Sequence, residues 1–377
     1  MKKIMLTMCM VLLMVLFSAC NKNKTNDENA GATATPSPQP IVTLPPEEVT
    51  DEDTTGIDPQ ENESTLKLQD YYPIQADTEY FYEGKENEYA AYTRVTDFVD
   101  EANNKVQTRT DNGGSETVNV TQIKDGKVSV IFTANECYYR DNFMDKTEAS
   151  EDEVLLMEPL VKGTQWKLSD GSKRYISAID VNVDTPSGKY KALEVTTEGK
   201  DSTTKDYYAP KVGLIKTVYS SGDMEVSSTL SKINTDTPFT QNIDIFYPDT
   251  DEKIYVEPLT LSFRTGDVTR LVLQEALRKE AVKESYLPLV SAKTKINSLY
   301  LGNDKIVYAD FSADLVNDMN AGAGYETLIL QSITNTLGNY YGVEKIYLTV
   351  AGKPYESGHV LMKKGETFKV DMSNVAR

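Results

Sequence analysis

The chain has 377 residues, 39 Lys+Arg against 58 Asp+Glu, one His, three Cys and a formal net charge of −19. That length allows two or three domains with ample core, and the acidic balance argues against a nucleic-acid binder, whose phosphate backbone needs a basic patch. One histidine excludes a His-rich metal site, and three cysteines exclude a disulfide framework and a four-cysteine zinc site.

Residues 1–19 read as a signal peptide. Lys2 and Lys3 form a positive n-region, and 4–19 holds 16 residues without a charge, short of the about 20 apolar residues a membrane span needs. Phe17-Ser18-Ala19-Cys20 resembles the lipobox of bacterial lipoproteins, with Phe17 where that family usually has Leu. The resemblance implies a diacylglyceryl group on the Cys20 thiol and cleavage before it. The protein would then sit on the extracytoplasmic face of the cell membrane. Two acyl chains are enough for stable anchoring where one is marginal. A plain signal peptide with a chance cysteine and an uncleaved anchor are the competing readings, and the polar run from Asn21 favours cleavage. Cys9 then leaves with the signal, and Cys137 alone remains as a thiol.

Residues 20–65 hold two lysines against ten acids, with ATATPSPQP, LPPEE and DEDTTGIDPQENEST. Low hydrophobicity with high charge cannot offset chain entropy, so this segment is expected to be a disordered acidic tether. A flexible chain of that length spans roughly 35–40 Å, and more with charge repulsion and proline stiffening.

From 66 to 236 the text is strands and turns. Asp111-Asn112-Gly113-Gly114, Asp125-Gly126, Asp170-Gly171, Pro186-Ser187-Gly188 and Ser221-Gly222 each separate runs of alternating β-branched and aromatic residues. Turn dipeptides at this spacing predict an antiparallel meander, curved or half-closed, with one face buried. Only 151–160 has helical spacing, and 206–216 (DYYAPKVGLIK) resembles the closing strand of sheet-type bacterial lipoproteins.

The polar break 234–241 (NTDTPFTQ) marks a boundary, and a second region runs over 237–377. Its pattern predicts a strand at 242–247, a helix at 268–281 with Val268, Leu271, Val272 and Ala276 on one face, and strands at 295–301 and 305–311. A second helix follows at 325–337 and a strand at 343–350, an order β, α, ββ, α, β that defines a mixed α+β domain. The chain as a whole is therefore read as α+β, a β-meander followed by this smaller region.

The text of the second region resembles the GerMN domain family of sporulation and germination proteins. The matching blocks are IDIFYPD at 243–249, LPLVSAKTKINSLYL at 287–301, VYADFSADL at 307–315, ETLILQSITNTL at 326–337 and VEKIYLTVAGK at 343–353. They occur in family order over roughly 241–377. The resemblance implies an extracytoplasmic, usually lipid-anchored, non-catalytic domain, similar in fold to ring-building modules that assemble side by side. The family's namesake carries two tandem copies, whereas this chain has one behind a β region. Within the blocks, Asp310 or Ser312 is placed to cap a short helix with Phe311 inward, and Gly358 in Ser357-Gly358-His359 suggests an unusual backbone conformation. Gln331 and Asn335 lie one turn apart on the polar face of the second helix, to bond a partner or water. With His359 they are the candidate interaction residues.

Enzymatic readings fare poorly. A Ser–His–acid triad would have to use His359, and no G-x-S-x-G elbow occurs. Cys137 reads as a buried structural thiol in a different region from His359. Ser64-Thr65-Leu66-Lys67 has S-x-x-K spacing without companion motifs. Asp249, Asp251 and Glu252 could offer oxygens to calcium but lack the EF-hand glycine and terminal glutamate. No catalytic, metal or cofactor site is expected. The leading function is an envelope scaffold that binds a protein partner or itself through the GerMN-like region. The alternative is a binder of cell-wall glycan or another extracellular ligand, using the tyrosines of the β region, of which thirteen of 23 lie between Tyr71 and Tyr219.

Overall fold

The computed structural model describes residues 66–146, 153–280 and 283–376. The signal peptide, Cys20 and the whole of the acidic tether therefore lie outside the described residues.

A short helix α1 (Leu68–Tyr71) precedes twelve antiparallel strands: β1 (Glu79–Lys85), β2 (Tyr92–Asp100), β3 (Lys105–Asp111), β4 (Glu116–Lys124), β5 (Lys127–Asn135), β6 (Glu153–Met157), β7 (Gln165–Lys167), β8 (Lys173–Thr185), β9 (Gly188–Glu198), β10 (Thr203–Ala209), β11 (Gly213–Ser221) and β12 (Met224–Asn234). The expected hairpins form where the turn dipeptides stand. Asp125 and Gly126, both at positive φ (51° and 68°), join β4 to β5, as a two-residue hairpin loop requires. The stretch 151–160 contains strand β6 instead of a helix, because Leu156 is drawn into the core against β5. The stretch 206–216 is two strands, β10 and β11, around the turn at Pro210.

The sheet order is β6-β5-β4-β3-β2-β1-β12-β11-β10-β9-β8-β7. First and last strands pair at the centre, Glu79 against Asn234, and the consecutive strands β6 and β7 occupy the two outer edges. Laid flat, twelve strands would measure roughly 53 Å across at about 4.8 Å per gap. The link from Met157 to Gln165 can reach at most about 28 Å. The sheet must therefore curl until its edges meet, which makes it nearly closed. Side chains bridge the seam: Trp166 on β7 donates its Nε1–H to Val154 O on β6 at 3.0 Å, and Arg174 on β8 reaches Glu153 at 3.4 Å. Leu68 and Tyr71 of α1 pack with Ile123, Leu156, Trp166 and Val195.

The second region opens with a hairpin, β13 (Phe239–Pro248) and β14 (Ile254–Phe263), then α2 (Thr269–Arg278), β15 (Ile296–Leu301), β16 (Ile306–Phe311), α3 (Asp314–Asn317), α4 (Ala323–Tyr341), β17 (Lys345–Val350), β18 (Lys353–Pro354) and β19 (Phe368–Lys369). The expected elements are present, and β14 is an addition. Its Pro258 stands opposite Asp244 in a two-stranded sheet, where β14 is an edge strand and proline is tolerated. Strands β16 and β17 are parallel, with α4 as the crossover. α4 is buried nearly all round because it packs on β13 and on the β16–β17–β19 sheet at once. The helix ends at Gly342, whose φ of 65° supplies the left-handed cap. On α2 the buried face is Leu273, Ala276 and Leu277. Val268 and Leu271, expected to face the core, are 47% and 43% exposed. The helix has two apolar stripes, and only one meets β14 and β15.

The two sheets are joined through a buried charged knot in the segment after β5. Arg140, 1% exposed, lies between Phe98 of β2 and Phe263 of β14, its guanidinium carbon 4.1 and 4.8 Å from the two ring centres. It donates to Asp97 O at 2.7 Å, Arg264 O at 3.3 Å and Asp267 O, and pairs with the Asp97 carboxylate at 3.4 Å. Arg109 approaches the same carboxylate at 3.4 Å. Asp77 and Thr265 add a reciprocal pair of bonds at 2.7 Å each.

Candidate functional site

Because the resemblance lies in the second region, the site is sought on its surface. β15 is the edge of the β15-β16-β17-β18 sheet. Its first residues are covered by α2, where Gln274 Oε1 accepts from Ile296 N–H at 2.8 Å and Arg270 donates to Ile296 O at 2.8 Å. Beyond Ile296 the outer edge carries no ladder among the described residues.

On the open face of this sheet Tyr300, Tyr308 and Tyr347 stand directly opposite one another across β15, β16 and β17. The first two rings stack at 5.1 Å and 8°, and the second pair meets edge to face at 5.7 Å. Tyr300 is 48% exposed. Alternation explains the ladder, since Val307, Ala309 and Phe311 point the other way into the core and are at most 1% exposed. Tyr308 donates to Asp304 Oδ2 at 2.7 Å, which fixes the middle ring. A groove of about 310 Å³ runs beside the ladder, lined by Val268, Arg270, Asn297, Leu299 and Tyr300. The surface thus combines an aromatic platform, an exposed aliphatic side chain and a strand edge, a combination that suits protein contact.

Asp310 lies on the same face but caps no helix. Its Oδ1 accepts from Thr349 Oγ1 at 2.6 Å and Gly352 N–H at 2.7 Å, and its Oδ2 from Asn297 Nδ2 at 2.8 Å. Burial raises its pKa, but these bonds prevail and hold the carboxyl below its ordinary range. Ser312 accepts from Lys295 N–H at 3.0 Å, so α3 starts without a side-chain cap. Phe311 is fully buried.

The sequence-predicted candidates lie apart from this face. Gln331 and Asn335 are bonded internally: both amides donate to Asp371 O, at 2.7 and 2.8 Å, and Asn335 Oδ1 accepts from Asp371 N–H at 2.9 Å. Asn335 is fully buried. Both residues are therefore engaged within the chain. They fasten the C-terminal strap, which continues to pair with β14 through Ile254 and Val375. His359 is exposed in a turn, where its N–H donates to Ser357 Oγ at 3.1 Å. Ser357 and Tyr355 in turn donate to the buried Glu326. Gly358 has no positive φ; the left-handed residues nearby are Ala351 and Gly352, at 49° and 76°. Cys137 is buried, its thiol donating to Tyr139 O at 3.4 Å, and burial pushes its pKa up. Asp249 Oδ1 is occupied by Asp251 N–H at 2.9 Å. Among the described residues no three His, Cys, Asp or Glu side chains converge on a metal position. The tyrosine ladder was missed from sequence, although YLGNDKIVY and IYL place one tyrosine in each of the three strands.

Residues 244–356 match the family model described as Germane: Sporulation and spore germination. The chain is similar to the first GerMN domain of the sporulation protein GerM from Bacillus subtilis, at 24% identity over 30% of this chain and 86% of that one, with a TM-score of 0.25. It is similar to a candidate lipoprotein from Clostridium perfringens, at 18% identity over 35% of this chain and 87% of that one, TM-score 0.24. It is also similar to a candidate exported protein of YmcC-like fold from Bacteroides fragilis, at 12% identity over 43% and 98%, TM-score 0.26. No curated protein matches the chain.

Proposed function

We propose that this chain, which carries a GerMN domain over residues 244–356, is a lipid-anchored extracytoplasmic scaffold that docks an envelope protein in sporulation- or germination-related assembly. The observation that carries the reading is the in-register ladder Tyr300–Tyr308–Tyr347 on the open sheet face beside the β15 edge. A flat aromatic face with hydroxyl tips loses little side-chain entropy on docking, and an edge strand offers main-chain groups to an incoming segment. The buried knot at Arg140 supports a scaffold because it ties the docking face to the barrel through many bonds. A non-catalytic role is supported by the separation of groups: the Cys137 thiol is buried, with its pKa pushed up by that burial, while His359 is exposed on a turn.

The test is a photo-crosslinking phenylalanine analogue at position 300 in the native envelope, in cells with and without spore formation. The expected result is a protein adduct at 300 that depends on spore formation and is lost in Tyr308→Ser. Repeated recovery of no adduct would overturn the docking face. The anchor is tested apart from it: Cys20→Ala releases the protein from membranes, and undiminished membrane retention would refute lipidation.

A further inference from the structure

We propose that the lumen of the twelve-stranded sheet binds a small hydroxylated organic oxyanion, its carboxylate or phosphate held by Arg94. Thr121 on β4 and Arg174 on β8 stand eight strands apart along the sheet yet line one cavity of about 350 Å³. Only the curl of the sheet brings them together, so this cavity is the lumen. Its volume falls in the range of small-molecule sites.

The wall is polar where a folding core would be apolar. On the β2–β3–β4 stretch Arg94, Thr108, Thr110 and Asn119 face the cavity, while Val118 and Val120 point away and pack with Phe98, Phe132 and Phe143. The Thr108 and Thr110 hydroxyls and the Asn119 amide nitrogen have no hydrogen-bond partner among the described residues. They remain free to bond the hydroxyls of a ligand.

Arg94 differs from the other arginines of the barrel. Arg109 is paired with Asp97 and Glu116, and Arg174 with Asp206 and Glu153. Arg94 has no carboxylate within ion-pair distance and no side-chain hydrogen bond among the described residues. It is held instead over the rings of Tyr80 and Tyr82, 4.7 and 5.8 Å from their centres. Ring faces orient a guanidinium but leave its N–H groups unmet. The acids nearby are taken: Asp206 accepts from Arg174 through Oδ2 and from Thr217 through Oδ1, and the Glu153 side chain is 57% exposed. A planar N–H fork at the wall of a polar cavity, with no acceptor of its own, matches a carboxylate or phosphate. Half-buried Tyr72, just after α1, lines the same cavity and offers a flat face to a sugar-like body.

Isothermal titration calorimetry of the full chain in detergent would use three probes: glucuronate, glucose 6-phosphate and uncharged glucose. At least one anion is expected to bind saturably and about tenfold or more tighter than glucose, the effect of one charge-assisted contact. The tighter of the two anions identifies which oxyanion the site prefers. Arg94→Gln is expected to erase the anion preference. Binding of neither anion, equal binding of glucose, or an unchanged preference in a folded Arg94→Gln would each overturn the proposal. The discrimination between anion and glucose is read on the unaltered chain, so it decides the matter even if that variant does not fold.

Discussion

Replacing Arg140 by Met separates the charge from the packing at the joint between the barrel and the GerMN region. Met retains most of the apolar stem between Phe98 and Phe263. It removes the Arg140 bonds to Asp97 O, Arg264 O, Asp267 O and Thr269 Oγ1, and leaves the fully buried Asp97 carboxylate with Arg109 as its one cation at 3.4 Å and Gln107 Nε2 as its donor at 3.2 Å. Breaking one side of a buried pair costs about 3–5 kcal/mol. Loss of the cation over two rings adds about 1 kcal/mol. With a denaturant slope of about 4–5 kcal/mol per molar, the midpoint falls by roughly 1 M guanidinium. Two probes report on opposite sides of the joint. Fluorescence of the single tryptophan, Trp166, reads the barrel seam, and far-ultraviolet circular dichroism at helical wavelengths reads α2 and α4 of the GerMN region. In the parent chain the transitions coincide; in Arg140→Met the helical signal is lost first. Coincident transitions with a shift below about 0.2 M would refute the assignment of the knot as the coupling element.

Other outcomes follow from the same geometry. Asp310→Asn costs about 1–2 kcal/mol at pH 7, since it weakens charge-assisted bonds to three donors. Because the folded-state pKa of Asp310 is depressed, its contribution is present above the ordinary carboxylate range and lost as pH falls through the folded value. Urea midpoints of parent and variant therefore converge in acid. Gly338→Ala destabilises by about 1–3 kcal/mol despite alanine's better helix propensity, because a Cβ there would lie 2.2 Å from Val370 Cγ2 and 2.9 Å from Val343 O; a higher melting temperature would contradict this. Asn335→Ala frees the Asp371 N–H and leaves the Asp371 carbonyl with Gln331 alone, so amide exchange should accelerate in 368–376 while that of β1–β12 stays at parental values.

Local signals in the sequence determined where most strands and turns lie, because a period of two and a positive-φ turn are properties of a few neighbouring residues. Asp125-Gly126 and Ser221-Gly222 mark hairpins with no help from the rest of the chain, and the blocks from Ile243 onward carry the family. Tertiary structure decided what alternation leaves undetermined. Alternation divides Thr108 and Thr110 from Gln107 and Arg109 but does not say that the threonine face lines the lumen and the other is buried at a joint. The pairing of β1 with β12 spans 155 residues between Glu79 and Asn234, and no local pattern encodes a contact that distant. Asn335 reads as a surface residue on a helix because its partner, the Asp371 backbone, arrives from another element. The burial of Arg140 has the same kind of cause: what allows a buried guanidinium is the carbonyls of Asp97, Arg264 and Asp267, and only the fold assembles them around it.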